Sequence, residues 1–365
     1  MTHSITVLNP FGGSSHRQSI WERMAIESDL QIRFFVPNIW KDEYGITAKC
    51  STESTRLKVE TLQTALYGNI PLHFFTSLNT LKTAISESDL TYIYHEPFFL
   101  STIQIATIMP RKVKFGFHTA QNLSRNYPFP FNVGEKFVFQ KALFATAVSV
   151  EAKDVLRQRG FMGSIGEHRF GLDDVWFNTS KPVQGIPTFA YIGRFVEEKG
   201  LQIIIDVFSQ LKTRCKLIFV GEGPLRARLD ASLGILSNHD VVLMARKSHD
   251  EIVSILDTVD FTLVPSKTTK KWKEQFGRVV IESGARGAIP IVSNSGELPH
   301  LASELTFVKV FEENSISSLL SLINNQLENL DVARTERHIR QEMTQRIFSE
   351  SKIATDLAYY LKSLI

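Results

Sequence analysis

The strongest constraint in this sequence is its rhythm. Short runs of β-branched and aromatic residues alternate with longer stretches whose apolar residues recur at helical spacing. That is the pattern of βαβ units, in which helices connect parallel strands and cover both faces of a sheet. In the first half it predicts strands at residues 5–8, 32–36, 72–75, 90–94 and 113–117, and helices over 18–26, 54–66 and 133–143. The stretch 181–187, with two prolines and a glycine, suits an exposed connector. The rhythm then restarts, with strands at 189–192, 217–220, 241–244, 261–264 and 289–292 and a capping box at Ser248 and Glu251. At 365 residues the chain exceeds what one core usually serves. The expected fold is α/β with two doubly wound domains, 1–178 and 179–350, and a cleft between them. The terminal segment 351–365, with Ile353, Leu357, Tyr360 and Leu361 at helical spacing, is expected to cross back onto the first domain.

Composition narrows the function. Hydrophobic residues make up 43% and charged residues 22%, which suits a packed globular chain. The formal charge of +3 is spread along the sequence, so nucleic acid is not an expected partner. Cys50 and Cys215 stand far apart without metal-ligand spacing, which argues against a disulfide framework and a zinc site and fits a reducing compartment. The opening Met1-Thr2-His3-Ser4 lacks a signal-peptide pattern, and nowhere do about eighteen apolar residues run together. A cytoplasmic protein is expected, with any membrane contact peripheral and at the inner face. Arg111, Lys112 and Lys114, with the amphipathic stretch 54–66, are candidates for such contact, although a solvated surface is the plainer reading.

Five features after residue 188 each sit where a strand ends and a helix begins, the edge at which doubly wound sheets bind ligands. Gly193-Arg194 with Lys199-Gly200 offers two cations able to hold a diphosphate, or a merely solvated pair. Gly221-Glu222-Gly223-Pro224 permits a tight turn and close backbone approach, with or without a ligand. In Glu274-Gln275-Phe276-Gly277-Arg278-Val279-Val280-Ile281-Glu282, two carboxylates flank seven residues. If Gly277 opens a helix, its free N–H groups face a phosphate, Glu282 reaches ribose hydroxyls and Glu274 grips a sugar. Two surface glutamates at a helix start would read the same way, since the dipole favours them there. Pro265-Ser266 and Ser293-Asn294-Ser295-Gly296-Glu297 read as ordinary loops when taken alone.

In this order and spacing, the features across residues 188–300 resemble the donor-binding half of family 4 glycosyltransferases, which have the GT-B architecture: two Rossmann-like domains facing each other across a cleft. In the first half, His95-Glu96-Pro97 and Phe117-His118-Thr119 look like triplets of retaining family 4 enzymes, including bacterial phosphatidylinositol mannosyltransferases. Gln121-Asn122 with Tyr127-Pro128 resembles members that build surface polysaccharides, and Gly12-Gly13 looks like the family's glycine loop beside the donor phosphates. The resemblance implies that Gly12, Gly13, Gly193, Gly221 and Gly223 approach the donor and that Arg194 and Lys199 bind its diphosphate. It also implies that Glu282 binds the ribose, that Glu274 with Phe276 and Gly277 binds the sugar, and that His118 lines the sugar's reacting face. The catalytic set is then His118, Arg194, Lys199 and Glu274. Two departures stand out: His300 follows Glu297-Leu298-Pro299 where many relatives carry glutamate, and Ala245-Arg246 replaces a glycine often found near the base.

A departing nucleoside diphosphate gathers negative charge, which fixed cations and a helix start can meet without a divalent ion. Asp173-Asp174 is not a spaced Asp-x-Asp motif, so no metal or other cofactor is expected. The resemblance implies a retaining transfer from a nucleoside-diphosphate sugar to a saccharide or lipid-linked acceptor. A 2-epimerase of the same architecture and a non-catalytic nucleotide-sugar sensor or partner subunit are the competing readings. A Rossmann dehydrogenase is disfavoured, because Asn9-Pro10-Phe11-Gly12-Gly13 lacks the G-x-G-x-x-G turn.

Overall fold

The structure, a computed structural model, describes residues 3–13, 15–41, 47–49, 57–178 and 182–365. Two compact units emerge: Met1–Gly171 with Glu350–Ile365, and Leu172–Ser349.

The first unit is built on a seven-stranded parallel sheet of β1 (His3–Leu8), β2 (Leu30–Pro37), β3 (Lys58–Leu62), β4 (Leu90–Ile93), β5 (Lys114–Thr119), β6 (Phe144–Ala147) and β7 (Ser164–Glu167). Their order across the sheet is β7-β6-β5-β4-β1-β2-β3. Apolar side chains leave both faces at the centre of the sheet, which is why β1 and β2 are rich in apolar residues. Phe34 joins Ile5, Trp21, Tyr92 and Phe144 on one side, while its neighbour Phe35 joins Leu8, Ile93, Phe115 and Phe117 on the other. The helix α1 (Ser15–Glu27) and the terminal helix, here labelled α3 (Glu350–Leu364), pack together on the first of these faces, where Ala354, Leu357 and Leu361 are buried.

The second unit repeats the plan with six parallel strands: β8 (Thr188–Ile192), β9 (Lys216–Val220), β10 (Asp240–Met244), β11 (Phe261–Val264), β12 (Ile289–Ser293) and β13 (Lys309–Phe311). Their order is β10-β9-β8-β11-β12-β13. In both sheets the strand order reverses beside the first strand, between β1 and β4 and between β8 and β11, and a doubly wound sheet opens a ligand crevice at such a point. Phe189, Ile204, Phe208, Leu217, Phe261 and Ile291 centre the core. The capping box at Ser248 and Glu251 is formed, and it opens the helix His249–Leu256.

Three expectations change. The helix expected over 54–66 is instead the strand β3 from Lys58 to Leu62; residues 54–56 lie outside the described residues. Backbone pairing with β2 along five residues overrides the local helical spacing, and it brings Arg33 Nη2 within 3.1 Å of Glu60 Oε1. The strand expected over 72–75 shrinks to Phe74–Phe75, paired antiparallel with Thr64–Ala65 outside the main sheet. The division between units falls at Gly171, earlier than the boundary read at 178. The turn Asp174–Phe177 belongs to the second unit because the guanidinium of Arg286 donates to the carbonyls of Trp176 (2.9 Å) and Asn178 (2.7 Å). Arg286 is 2% exposed and also pairs with Asp257, its Nε lying 2.8 Å from Oδ1. Arg286→Ala strips a partly buried carboxylate and two carbonyls of their buried donor, so urea unfolding of the second unit should show a loss of about 3 kcal/mol.

Candidate functional site

The carboxyl edge of the second sheet gathers most of the residues singled out above. From β8 the chain runs through Gly193 and Arg194 into the turn Glu197–Lys199, and from β11 it runs through Pro265 and Ser266 to Glu274. Because β8 and β11 are neighbours, these loops meet: Lys199 Nζ donates to Glu274 Oε2 at 2.6 Å, and Ser266 Oγ donates to the same oxygen at 2.6 Å. Lys199 Nζ also lies 4.8 Å from the centroid of the Trp272 ring. Ser266 is fully buried, and its carbonyl accepts from Ser293 Oγ, which ties the loop to the end of β12.

Two glycines explain how tightly these loops pack. Gly296 has φ +56°, and a Cβ there would stand 2.0 Å from the Glu274 carbonyl, which accepts the N–H of Glu297. Gly221 has φ +152°, and a Cβ there would stand 1.9 Å from the Gly193 carbonyl. Phe195 N–H bonds the Glu222 carbonyl at 2.8 Å, and Gly223 lies alongside against the Phe195 backbone, so the loops after β8 and β9 form one surface. Tyr191 OH donates to the Arg194 carbonyl at 2.7 Å and fixes the turn, while the Arg194 side chain is 59% exposed and 3.9 Å from Glu198.

Gly277, at φ +86°, is the N-cap of the helix α2 (Arg278–Ala285), so the expected helix start is present. Glu282 lies on that helix, with Oε1 2.8 Å from Arg278 Nε. Burial pushes its carboxyl above the usual range, while the Arg278 and His249 charges pull it back. Phe276 is 2% exposed and its ring packs towards Phe348, so it offers a ligand its backbone rather than its ring.

Gly12, Gly13 and His118 belong to the first unit. Gly12 N–H closes a turn on the Asn9 carbonyl at 2.9 Å, and Gln18 Nε2 donates to the Gly12 carbonyl. Gly13 follows in the same loop. His118 lies near the carboxyl end of β5, stacked 4.2 Å from Tyr94, with Nδ1 2.9 Å from Thr146 Oγ1. Burial, with a smaller push from His168, holds its pKa well below the ordinary imidazole value, so the ring is neutral at pH 7. Beside it, Glu96 accepts from Thr119 Oγ1 and Ala120 N–H, both at 2.7 Å, and burial raises its carboxyl to about 7.

Sequence reasoning assigned no role to Ser266, Trp272, Tyr191, Glu96 or His168. Ser266 and Glu96 follow apolar strands at their carboxyl ends, which was the available signal. His168 follows β7, a strand without an apolar run. Chemically, the second-unit edge sets a lysine, an exposed arginine and a helix start beside two carboxylates, a combination that can receive a phosphate-bearing polyol.

Residues 174–345 match the sequence model of the family described as "Glycosyl transferases group 1". An uncharacterized glycosyltransferase of Methanocaldococcus jannaschii is 30% identical over 140 residues, 37% of this chain and 38% of that protein. A lipopolysaccharide 1,2-N-acetylglucosaminetransferase of Salmonella typhimurium is 27% identical over 176 residues, 44% of this chain and 43% of that one. The chain thus spans well under half the length of the curated relatives it matches. Among solved structures, Anabaena HepE in complex with UDP superposes with a TM-score of 0.72 at 16% identity, covering 99% of this chain and 100% of that one. Residues 174–345 carry the similarity to glycosyl transferases group 1, and the chain as a whole has the two-domain Rossmann-like fold of GT-B glycosyltransferases.

Proposed function

We propose that this chain is a retaining glycosyltransferase of family 4 that moves a sugar from a nucleoside diphosphate to a saccharide or lipid-linked saccharide, in polysaccharide or glycolipid synthesis. The observation that carries this reading is the Lys199–Glu274–Ser266 cluster, set beside the helix start at Gly277 within the group 1 domain. Arg194 and Lys199 hold the diphosphate, Glu282 the ribose, and Glu274 with the backbone at Phe276 and Gly277 the sugar. The glycine turns at Gly12-Gly13, Gly193, Gly221 and Gly223 admit the donor closely. UDP in HepE and the acceptor of the Salmonella relative support these substrate classes.

In the transfer, the bond from the anomeric carbon to the diphosphate oxygen breaks as the acceptor oxygen bonds that carbon from the same face, and the acceptor's proton passes to the departing phosphate. Negative charge grows on the diphosphate, where Arg194, Lys199 and the α2 start stabilise it without a metal ion. His118, neutral at pH 7, offers the sugar's reacting face a hydrogen bond rather than a charge. We place the reaction in the cytoplasm, with peripheral contact at the inner membrane face where the acceptor is lipid-linked. Among the described residues no helix is long and apolar enough to cross a membrane.

The test is incubation with EDTA and UDP-, GDP- and ADP-sugars plus a bacterial lipid extract, read by mass spectrometry. Release of nucleoside diphosphate together with a mass-shifted acceptor is expected. An isomerised donor without transfer would indicate the epimerase, and binding without turnover the sensor. A rate that collapses in EDTA and returns with magnesium or manganese would refute metal independence. Glu282→Ala removes charge-assisted hydrogen bonds and should raise the donor Kd roughly ten- to a hundredfold by calorimetry. His118→Ala should cut kcat by about a hundredfold while leaving the nucleoside diphosphate Kd within about twofold; unchanged turnover would remove His118 from the site.

A further inference from the structure

Four buried side chains of the first unit form one unbroken polar chain. His118 Nδ1 is 2.9 Å from Thr146 Oγ1, Thr146 Oγ1 is 2.7 Å from Tyr92 OH, and Tyr92 OH is 2.9 Å from His168 Nδ1. Thr146 and Tyr92 are fully buried, and His118 and His168 are 5% and 4% exposed. The sheet sets this spacing: Thr146 on β6 stands opposite His118 on β5, and Tyr92 on β4 stands opposite Gly116, whose missing side chain leaves its place to the Phe144 ring. Aromatic rings enclose the chain. Tyr94 stacks on His118, His168 meets Tyr94 at 4.8 Å and Trp21 at 5.4 Å, and Tyr92 lies parallel to Phe144 at 6.0 Å.

Counting hydrogens constrains this chain. Each hydroxyl supplies one hydrogen, so Thr146 and Tyr92 fill two of the three contacts, and the third hydrogen must come from an imidazole Nδ1. If neither imidazole supplies it, two lone pairs face each other; if both do, a buried hydroxyl hydrogen has no acceptor in the chain. Either defect costs about 1–3 kcal/mol. Two complete arrangements remain. In one, His118 Nδ1–H donates to Thr146, Thr146 to Tyr92, and Tyr92 to His168, whose hydrogen is then on Nε2. In the other every donor is reversed, and His118 carries its hydrogen on Nε2.

We propose that His118 and His168 are locked in opposite neutral tautomers, and that His168 is a positioning residue which decides, through Tyr92 and Thr146, whether His118 Nε2 donates or accepts. The lock stands on the hydrogen-bond geometry alone; its consequence for transfer rests on the role given to His118 above.

The test is 15N–13C correlation NMR of the imidazoles in the histidine-labelled full chain at pH 7, assigned with His118→Gln and His168→Gln. One ring should be protonated on Nδ1 and the other on Nε2; matching tautomers, or a charged ring, would overturn the lock. Thr146→Val replaces the hydroxyl with a methyl of similar shape and severs the chain. Tyr92 is then free to donate to His168, and His118 reverts to the Nε2 form that an uncoupled imidazole favours, so both rings should become Nε2-protonated. Thr146→Ser should restore the opposition. Opposition that persists in the valine variant would overturn the coupling, and if that variant does not fold, the wild-type and serine spectra decide. Where the wild-type spectrum puts the His118 hydrogen on Nδ1, Thr146→Val turns its Nε2 from acceptor to donor, and loss of a hydrogen bond of about 1.4 kcal/mol to the reacting sugar should lower kcat about tenfold with little change in donor Kd; where it puts the hydrogen on Nε2, only His168 switches and kcat should hold. An altered His118 tautomer with unchanged turnover, or a tenfold loss with the His118 tautomer unaltered, would retain the lock and overturn its role in transfer.

Discussion

The second unit depends on one adjacency, that of β8 and β11 where the strand order of the sheet reverses. Lys199 and Glu274, 75 residues apart in sequence, meet at 2.6 Å because the loops leaving these two strands emerge side by side. The pair is largely withdrawn from water, with side-chain exposures of 22% and 9%. A partly desolvated charge needs its partner and further hydrogen bonds to offset the loss of hydration. Ser266 supplies one such bond to Glu274, Ser293 holds Ser266, and Gly296 lets the neighbouring loop lie directly on the Glu274 carbonyl. On the proposed function, an arriving diphosphate would compete with Glu274 for the lysine.

The two units handle their polar groups differently. In the second, charge is retained and paired at the rim of the sheet, as it is for Arg334, which grips both oxygens of Asp260 at 2.9 Å. In the first, burial suppresses the charge of the imidazoles, although Glu135 and Arg159 keep a largely buried ion pair. His73 is lowered to about 4 and His168 to about 3, both chiefly by desolvation, so these imidazoles stay neutral from physiological pH down to those values. Glu96 moves the other way, to about 7, which makes its carboxyl a mixture of both forms near neutrality. Neutral imidazoles act through tautomer and direction rather than charge, which is the property that the chain from His118 to His168 couples.

Strands with strong apolar runs, such as β1, β2, β9 and β11, were legible because both faces are buried and every position carries the signal. β6, which reads Phe-Ala-Thr-Ala, and β7, which reads Ser-Ile-Gly-Glu, were not, since small and polar residues become strand only through pairing with a neighbour. Residues 58–62 were misread because Val59 and Leu62 fit a helical spacing as readily as an extended one, and it is β2 that selects the strand. At the candidate site, the glycines and the Glu274–Glu282 spacing could be found in the sequence, while Ser266 looked like any loop serine.

The amino-acid sequence by itself determined the doubly wound plan, the residues at the second-unit edge and the family they resemble, because periodicity, glycine placement and short-range spacing are local properties of a chain. Tertiary structure alone decided which of those residues meet. The Lys199–Glu274–Ser266 cluster and the His118–Thr146–Tyr92–His168 chain join positions on different strands, and their contacts exist only once parallel pairing sets strand order and register. Hydrogen bonds act over about 3 Å, and no spacing along the sequence encodes that distance between residues brought together from separate strands.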